Sequence, residues 1–262
     1  MVKKIHCCWF GSEMPDSVKR NIEHWEKLNP DFEICLYSLD NIDVFDYEFG
    51  KRALENKRWG FLVDIIRPQK LVEQGGFYLD ADIELVRPLS SLEVVADKML
   101  IGYMYNCALG TAALYSPQGH PYMADILSKY NTIAPEKWIV SNSIFTEYFI
   151  NSVPGFLLDG KEWENDKCHI YPKEFFEQPA FIRNRGVSIH HCCGSWQSLS
   201  PSRFGVGATV SLVSHLKKWA ARKWRTYSAC RKNEFYEVHQ AALRGESKSF
   251  DASMYYINDR KY

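Results

Sequence analysis

The chain has 262 residues and carries 32 Lys and Arg residues against 32 Asp and Glu residues, so its formal net charge is zero. This balance argues against a dedicated nucleic-acid-binding protein, because neutralising a phosphate backbone requires a basic excess. Hydrophobic residues make up 46% and charged residues 24% of the chain, a composition typical of globular proteins. At this length the chain can bury a sizeable core.

The eight cysteines indicate reduced thiols rather than a disulfide framework. Four of them form two adjacent pairs, Cys7–Cys8 and Cys192–Cys193, and the sequence contains no CxxC spacing, so a zinc knuckle is not expected. The apolar run at residues 5–10 is too short for a signal sequence or a membrane span. We therefore expect a reducing, cytoplasmic environment in which the thiols behave as small buried hydrophobic groups.

Strand and helix patterns alternate from the first residues onward. Strands are predicted at residues 4–10, 32–39, 77–79, 100–105, 109–115, 168–171 and 187–192. Helices are predicted at residues 16–29, 51–74, 120–130 and 141–151. Alternation of this kind predicts an α/β fold with parallel strands, and ligands of such folds bind at the carboxyl ends of the strands.

The basic residues are concentrated near the C-terminus. Residues 201–232 contain eight Lys or Arg residues and no acid, and Trp219 and Trp224 fall near helical spacing with the apolar positions. The segment predicts a basic amphipathic helix, and residues 213–232 could contact a membrane surface. The alternative is a helix that packs on the domain with a solvated basic face. We expect a domain at residues 1–200 and a helical extension at 201–262.

Acidic residues follow the short strand that begins after Gly75-Gly76. In an extended chain Asp80 and Asp82 point to the same side, so their oxygens can converge on one divalent cation. Mg²⁺ and Mn²⁺ prefer such oxygen ligands and leave coordination positions open for phosphate. The alternative is that both residues are solvated acids in a turn, which holds for most isolated DxD triplets.

A second pair of charged residues lies just upstream of this strand. Asp64 and Arg67 are one helical turn apart, and their place just upstream of the DxD strand favours a role in the same site. A plain helical salt bridge between them is the alternative, and it would contribute only about 0.2 to 0.5 kcal/mol.

The order of Asp64, Arg67, Gly-Gly, an aromatic residue, Tyr78 and Asp-x-Asp resembles glycosyltransferase family 32. That family contains the initiating mannosyltransferases of yeast and bacterial capsule enzymes, and the pattern is more distantly similar to the clostridial glucosylating toxins. The opening KIHCCWFG at residues 4–11 and the later SIHHCCGSW at residues 188–196 also resemble segments of the family. The resemblance spans residues 4–196 and does not extend beyond residue 200.

The resemblance implies a GT-A type, Rossmann-like fold that binds a nucleotide-sugar through Mn²⁺ or Mg²⁺. It implies that Asp82 holds the metal and that Asp80 contacts the metal or the donor ribose. Arg67 would approach the diphosphate or the sugar, and Asp64 the sugar hydroxyls. These four residues are the expected catalytic group.

Five further residues complete the site that the resemblance implies. Trp9 would stack on the base, and Tyr78 would belong to the donor-binding residues. Ser195 and Trp196 would cover the diphosphate as a closing loop. His191 would be the third metal ligand. For the histidine a competitor remains, because neighbouring strand residues face opposite ways and His190 could point inward instead.

The function expected from the resemblance is metal-dependent and retaining sugar transfer. The favoured donor is a UDP-sugar of the UDP-galactose or UDP-glucose type, and the acceptor is a saccharide, including one carried on a lipid. Surface or capsular polysaccharide synthesis at the cytoplasmic face of the membrane is the expected setting. No nucleophile can be assigned, and Asn142 and Ser143 are loose candidates for donor contacts.

Two other functions compete with this one. A metal-dependent phosphohydrolase or nucleotidyltransferase also uses Asp-x-Asp after a strand, but the chain has no GxxxxGK[ST] phosphate loop. A non-catalytic module could use the aromatic residues, 15% of the chain, to bind glycans.

Overall fold

The structure is a computed structural model that describes residues 1–44, 46–95, 97–179, 186–192 and 212–255. Within these residues a seven-stranded sheet and a two-stranded sheet are flanked by helices. This architecture confirms the predicted α/β class. Most of the predicted strands and helices occur within a few residues of their expected bounds.

The elements are numbered in chain order. The strands are β1 (Lys4–Cys8), β2 (Glu33–Tyr37), β3 (Gly76–Leu79), β4 (Ile83–Leu85), β5 (Met99–Tyr105), β6 (Ala108–Ser116), β7 (Trp163–Glu164), β8 (Cys168–Tyr171) and β9 (Ser188–His190). The helices are α1 (Asp16–Leu28), α2 (Glu48–Glu55), α3 (Trp59–Gln74), α4 (Pro121–Lys129), α5 (Ser141–Ser152), α6 (Lys173–Phe176), α7 (Leu212–Arg231) and α8 (Tyr236–Leu243). The strands β4 and β7 and the helices α6 and α8 have no counterpart among the predicted elements.

The large sheet has the strand order β2-β1-β3-β6-β5-β8-β7. The first three strands pair in parallel, as expected. The expectation of a parallel sheet is wrong for β6, which pairs antiparallel with both β3 and β5. The cause is the short connection between β5 and β6, because only antiparallel neighbours can be joined by so few residues.

The predicted helix at residues 51–74 is two helices, α2 and α3. Lys57 adopts a φ of 53°, in the left-handed region that ends helices. Its N–H donates to Leu54 over 3.1 Å, and the N–H of Arg58 donates to Ala53 over 2.9 Å. This pair of bonds satisfies the last carbonyl groups of α2, so the chain can start α3 in a new direction.

The C-terminal helices pack into the same core as the N-terminal strands. Phe235, Val238 and Phe250 are buried in the larger of two hydrophobic clusters, together with Leu62 of α3 and Phe145 of α5. The predicted domain boundary at residue 200 lies outside the described residues and stays a prediction.

The small sheet places His190 close to the end of β3. Strands β4 and β9 pair antiparallel, with Ile83 opposite His190 and Leu85 opposite Ser188. This pairing joins two segments that lie more than a hundred residues apart, and it places the end of β9 beside the acidic turn.

Candidate functional site

The Asp-x-Asp residues lie in a tight turn between β3 and β4. The N–H of Ile83 donates to the carbonyl of Asp80 over 2.9 Å, and the N–H of Asp80 donates to Ala112 of β6 over 2.7 Å. The sequence analysis expected an extended chain from Asp80 to Asp82, and that expectation is wrong because these residues form a hydrogen-bonded turn. The turn fixes both aspartates at the carboxyl end of β3.

Helix α1 fastens this turn from one side. The buried amide of Asn21 donates to the carbonyl of Ala81 over 2.9 Å and to that of Ile83 over 2.7 Å. The indole of Trp25 also donates to Ile83, over 2.9 Å. Asn21 is not among the site residues expected from the sequence, although a polar side chain at a buried helix position is a signal for such a role.

The turn, together with β9, forms a cluster of possible metal ligands. One ligand atom each from Asp80, Asp82 and His190 lies within 4.8 Å of the others. Nε2 of His190 is 3.4 Å from Oδ1 of Asp82. Two carboxylates and an imidazole are donors that suit Mn²⁺ and Mg²⁺, so the residues present fit the expected ion.

The predicted third ligand, His191, does not lie in this cluster. Its Nε2 is 3.0 Å from Oε2 of Glu84. The physical reason is the end of the strand: His190 is the last residue of β9 and pairs with Ile83, whereas His191 follows the strand and gives its N–H to the carbonyl of Asp82. The structure therefore replaces His191 with its competitor, His190, and the metal role of either residue stays a prediction.

A buried carboxylate lies behind His190. Oε2 of Glu177 is 2.7 Å from Nδ1 of His190. Burial opposes protonation of His190, but Glu177 and Asp82 outweigh it and raise the pKa of the imidazole well above its usual value. Sequence reasoning missed Glu177, because nothing in the sequence around it signals a site.

Arg67 links the two charged pairs that the sequence analysis singled out. Its side chain is 3% exposed, and its guanidinium lies 3.0 Å from Oδ1 of Asp64 and 3.0 Å from Oδ1 of Asp80. Burial opposes its charge, but Asp80, Tyr78 and Asp64 outweigh burial, and the pKa of Arg67 lies well above its usual range. Arg67 is therefore more than one half of a surface helical salt bridge, because it also holds the first aspartate of the turn.

Burial and the charge of Arg67 also shift the pKa of Asp80. Burial raises the pKa of its carboxyl group above the usual value, although the neighbouring Arg67 opposes this shift. The guanidinium of Arg67 also stacks over the buried ring of Tyr78, 4.5 Å from its centroid. Tyr78 thus packs against the guanidinium of Arg67 and also lines the pocket.

The start of α5 completes this network. Ser141 donates its hydroxyl to Oδ1 of Asp64 over 2.8 Å and its N–H to Oδ2 over 3.1 Å. Its Oγ also accepts from Arg67 over 2.7 Å and lies 2.9 Å from the hydroxyl of Thr111. Sequence reasoning missed Ser141 and Thr111.

The two loose candidates beside Ser141 have other partners. Asn142 lines the pocket and donates its amide to the carbonyl of Leu109 over 2.8 Å. Ser143 is buried and donates its hydroxyl to Glu234. Of the pair, only Asn142 borders the pocket.

These residues surround one pocket of about 410 Å³. Trp9, at its rim, lies just beyond β1 and donates its indole N–H to the carbonyl of Ser12 over 2.9 Å. The lining combines aromatic with charged side chains, namely Trp9, Phe10, Lys57, Arg58, Trp59, Phe61, Asp64, Arg67, Tyr78, Asp80, Asp82, Glu177 and His190. Ser195 and Trp196, the predicted closing residues, lie outside the described residues.

Helix α7 exposes its large aromatic side chains. Trp224 is 69% exposed, Tyr227 60% and Trp219 38%. Lys223 and Arg225 are exposed beside them. The other side of the helix packs on the domain through Thr226 and Cys230, which are buried. Among the described helices, none combines the length and the hydropathy that crossing a bilayer would require.

Comparison with known proteins assigns the region around the turn. Residues 15–102 match the family model "glycosyltransferase sugar-binding region containing DXD motif". These residues are similar to the sugar-binding region of DXD glycosyltransferases. The match contains α1, Asp64, Arg67 and both aspartates of the turn. Over these residues it agrees with the predicted DXD glycosyltransferase, whereas the GT-A type and membership of family 32 stay predictions.

Individual relatives are distant. The chain is 24% identical over 108 residues to "Subversion of eukaryotic traffic protein A" of Legionella pneumophila subsp. pneumophila, a match that covers 31% of this chain and 17% of that protein. Two solved structures are also similar. The glycosyltransferase PaToxG has 16% identity and a TM-score of 0.47, with 58% of this chain and 69% of that chain covered.

The second structure is a glycosyltransferase involved in glycosylation of the major capsid of PBCV-1. It has 11% identity and a TM-score of 0.43, with 72% of this chain and 93% of that chain covered.

Proposed function

We propose that this DXD glycosyltransferase transfers a sugar from a nucleotide-sugar to a saccharide acceptor, with a divalent cation held by Asp80, Asp82 and His190. The observation that carries the proposal is the convergence of these three side chains at the wall of a pocket that Arg67 also borders. When bound, Mn²⁺ or Mg²⁺ would stabilise the charge that develops on the departing diphosphate.

The protein residues supply the rest of the donor site. Arg67 is held rigidly by Asp64, Asp80 and Ser141, so its guanidinium is fixed before a phosphate or sugar enters. Asp64, at the pocket wall, can accept hydrogen bonds from sugar hydroxyls. Trp9, at the rim, offers an aromatic face for a base.

We propose UDP as the nucleotide, with a UDP-galactose or UDP-glucose type of donor, and transfer with retention of configuration. This choice rests on the resemblance of the Asp64-to-Asp82 segment and of Trp9 to the nucleotide-sugar enzymes of family 32. The acceptor that we propose is a saccharide of a surface or capsular polysaccharide, including one linked to a lipid.

The proposal is tested by calorimetric titration of the whole chain with UDP, with and without Mn²⁺. We expect binding that depends on Mn²⁺ and that Asp82→Asn abolishes, because the substitution removes a charged ligand without changing the size of the side chain. Asp31→Asn is the control, since Asp31 is an exposed carboxylate that pairs with the exposed Lys3. Metal-independent UDP binding, or none, would contradict the proposal.

The sugar is identified by a second experiment. Hydrolysis of a panel of UDP- and GDP-sugars, followed by mass spectrometry, should release the nucleotide from one donor far faster than from the others. Cleavage of every donor to a nucleoside monophosphate and a sugar 1-phosphate would instead indicate a phosphohydrolase. Donor binding without any product would indicate a binding module.

We also propose that α7 contacts the anionic inner face of a membrane, which would place the enzyme in the cytoplasm at that surface. The support is the exposure of Trp219, Trp224 and Tyr227 next to Lys223 and Arg225, since interfacial helices combine aromatic and basic side chains. Truncation before α7 would remove the core residue Phe235 as well, so point variants are the better test.

We expect the whole chain to co-sediment with vesicles that contain phosphatidylserine and to lose most of that binding in the double variant Trp224→Ala, Tyr227→Ala. The control is Leu243→Ala, which removes an exposed apolar side chain from α8. Equal binding of the wild-type chain to neutral and anionic vesicles would contradict an electrostatic contact.

A further inference from the structure

Glu177 is a buried carboxylate outside the family motif and outside the matched residues 15–102. It follows α6 and is 3% exposed. Its Oε2 bonds Nδ1 of His190 at 2.7 Å, while its Oε1 has no hydrogen-bond partner among the described residues. A carboxylate is costly to bury without compensation, so the ring of His190 is the contact that must account for its position.

The surrounding backbone is shaped around this carboxylate. A Cβ at Gly110 of β6 would overlap Oε1 of Glu177, so the glycine leaves the space that the side chain occupies. The N–H of His190 also donates to the carbonyl of Glu177 over 2.9 Å. Glu177 therefore contacts His190 in two places: its carbonyl group binds the backbone N–H of His190, and its carboxylate binds the imidazole ring.

The two nitrogens of His190 consequently face different groups. Nδ1 faces Glu177, and Nε2 lies 3.4 Å from Oδ1 of Asp82, which belongs with Asp80 and His190 to the cluster of possible metal ligands. When Nδ1 donates its proton to a carboxylate, the lone pair of Nε2 points away from that carboxylate and is available to a metal.

We propose that Glu177 is a positioning residue, which fixes the ring of His190 so that Nε2 serves as the nitrogen ligand of the metal site. The inference rests on the proposed metal-dependent function and adds to it the residue that orients the ligand. The second histidine–carboxylate pair nearby, His191 with Glu84, lies outside the cluster and provides a matched control.

The test uses MnCl₂ and the whole chain, with no nucleotide present. Electron paramagnetic resonance counts free Mn²⁺ during titration, and electron spin echo modulation detects a nitrogen bound to Mn²⁺. In Glu177→Leu we expect the Kd for Mn²⁺ to rise about 10- to 100-fold and the nitrogen modulation to be lost. Glu84→Leu should retain both properties of the wild-type chain.

Two further variants separate positioning from general damage. Glu177→Gln keeps an oxygen that can accept the Nδ1 proton, so nitrogen modulation should return. Gly110→Ala leaves Glu177 in the chain but takes its space, and we expect it to weaken Mn²⁺ binding as Glu177→Leu does. Circular dichroism and thermal unfolding check that each variant folds. If Glu177→Leu does not fold, the two single variants Gly110→Ala and Glu177→Gln test the positioning role.

The outcomes separate this inference from the function on which it rests. Nitrogen modulation that persists in Glu177→Leu and Gly110→Ala would overturn the positioning role. Mn²⁺ bound by the wild-type chain without nitrogen modulation would overturn it as well, while leaving a carboxylate metal site intact. If the wild-type chain binds no Mn²⁺, the proposed metal-dependent function fails first, and the role of Glu177 fails with it.

Discussion

Arg67 of α3 holds Asp80, the first aspartate of the DXD turn, through Nη2 and Oδ1 at 3.0 Å. The same guanidinium contacts Asp64 and Ser141 through Nη1. One buried cation therefore joins the middle of the sheet, α3 and the start of α5. Its removal should affect stability and the donor site together.

Replacing Arg67 with Met should destabilise the fold by about 3 kcal/mol, because two carboxylates lose their buried partner. Urea unfolding of the two proteins measures the difference. Lys70→Met is the control on the same helix, and we expect it to cost less than about 1 kcal/mol because its partner Glu73 is exposed. Equal costs for the two variants would contradict the role of the Arg67 network.

Asn21→Ala should loosen the DXD turn, because the carbonyl groups of Ala81 and Ile83 lose their buried donor. We expect a cost of about 1 to 3 kcal/mol in urea unfolding and weaker Mn²⁺ binding. Asn41→Ala, at an exposed position with local hydrogen bonds, should change neither. Full Mn²⁺ affinity in Asn21→Ala would show that the turn holds its shape without α1.

Trp9→Ala should lower the affinity for UDP in the presence of Mn²⁺ by about 5- to 150-fold, the range expected from the loss of about 1 to 3 kcal/mol of stacking on one base. Trp9→Phe should retain part of the affinity, since it keeps an aromatic face. Calorimetry measures both, and Trp224→Ala on α7 is the control for losing an exposed indole. Unchanged affinity in Trp9→Ala would place the base elsewhere.

The stability of the protein should fall as the pH falls below about 6.5, partly because of His6. Burial lowers the pKa of this histidine, which lies between the hydroxyl of Tyr37 and the carbonyl of Gly75. The folded state keeps His6 neutral where the unfolded chain takes up a proton near its usual value of 6.5, so acid favours unfolding. Above that value the effect is absent.

Urea unfolding at about pH 7.5 and about pH 5.5 measures the contribution of His6. One group changes the free energy of unfolding with a slope of at most about 1.4 kcal/mol per pH unit. His6→Gln should flatten the slope. His120, whose pKa burial also lowers, should still contribute in that variant. An unchanged slope in His6→Gln would show that His6 charges in the folded protein.

The cysteines should differ sharply in reactivity. Cys7 and Cys8 are buried, and burial raises the pKa of Cys8 to about 12, whereas Cys192 is exposed and borders the pocket. Iodoacetamide at neutral pH should modify Cys192 and leave Cys7 and Cys8 intact, as read by fragmentation mass spectrometry. UDP with Mn²⁺ should slow the reaction at Cys192. Rapid modification of Cys8 in the folded protein would contradict its burial.

The sequence predicted the elements whose signal is local. Apolar periodicity indicated α1 and the strands of the large sheet except β7, and the order of Asp64, Arg67 and the DXD residues indicated the site. These residues lie within 19 positions of one another, so their spacing alone brings them near β3.

The missing parts depend on contacts between distant segments. Ser141 meets Asp64 across 77 positions, and the choice of His190 over His191 depends on the pairing of β4 with β9. The sequence placed Trp224 on or beside the apolar face of α7, and the structure exposes it, whereas Thr226 and Cys230 are buried among the described side chains of this helix. Helical spacing shows that a face exists, and only packing shows which face is covered.

The burial of Phe235 and Phe250 in the core of the first strands has a consequence for biosynthesis. The backbone of Phe250 forms two hydrogen bonds of 2.9 Å with the side chain of Asn151, and the ring centroids of Phe250 and Phe235 lie 4.4 Å apart. A ribosome must therefore deliver the chain as far as residue 250 before this core can be completed. Until then the nascent protein exposes apolar surface, and we expect it to depend on chaperones during synthesis.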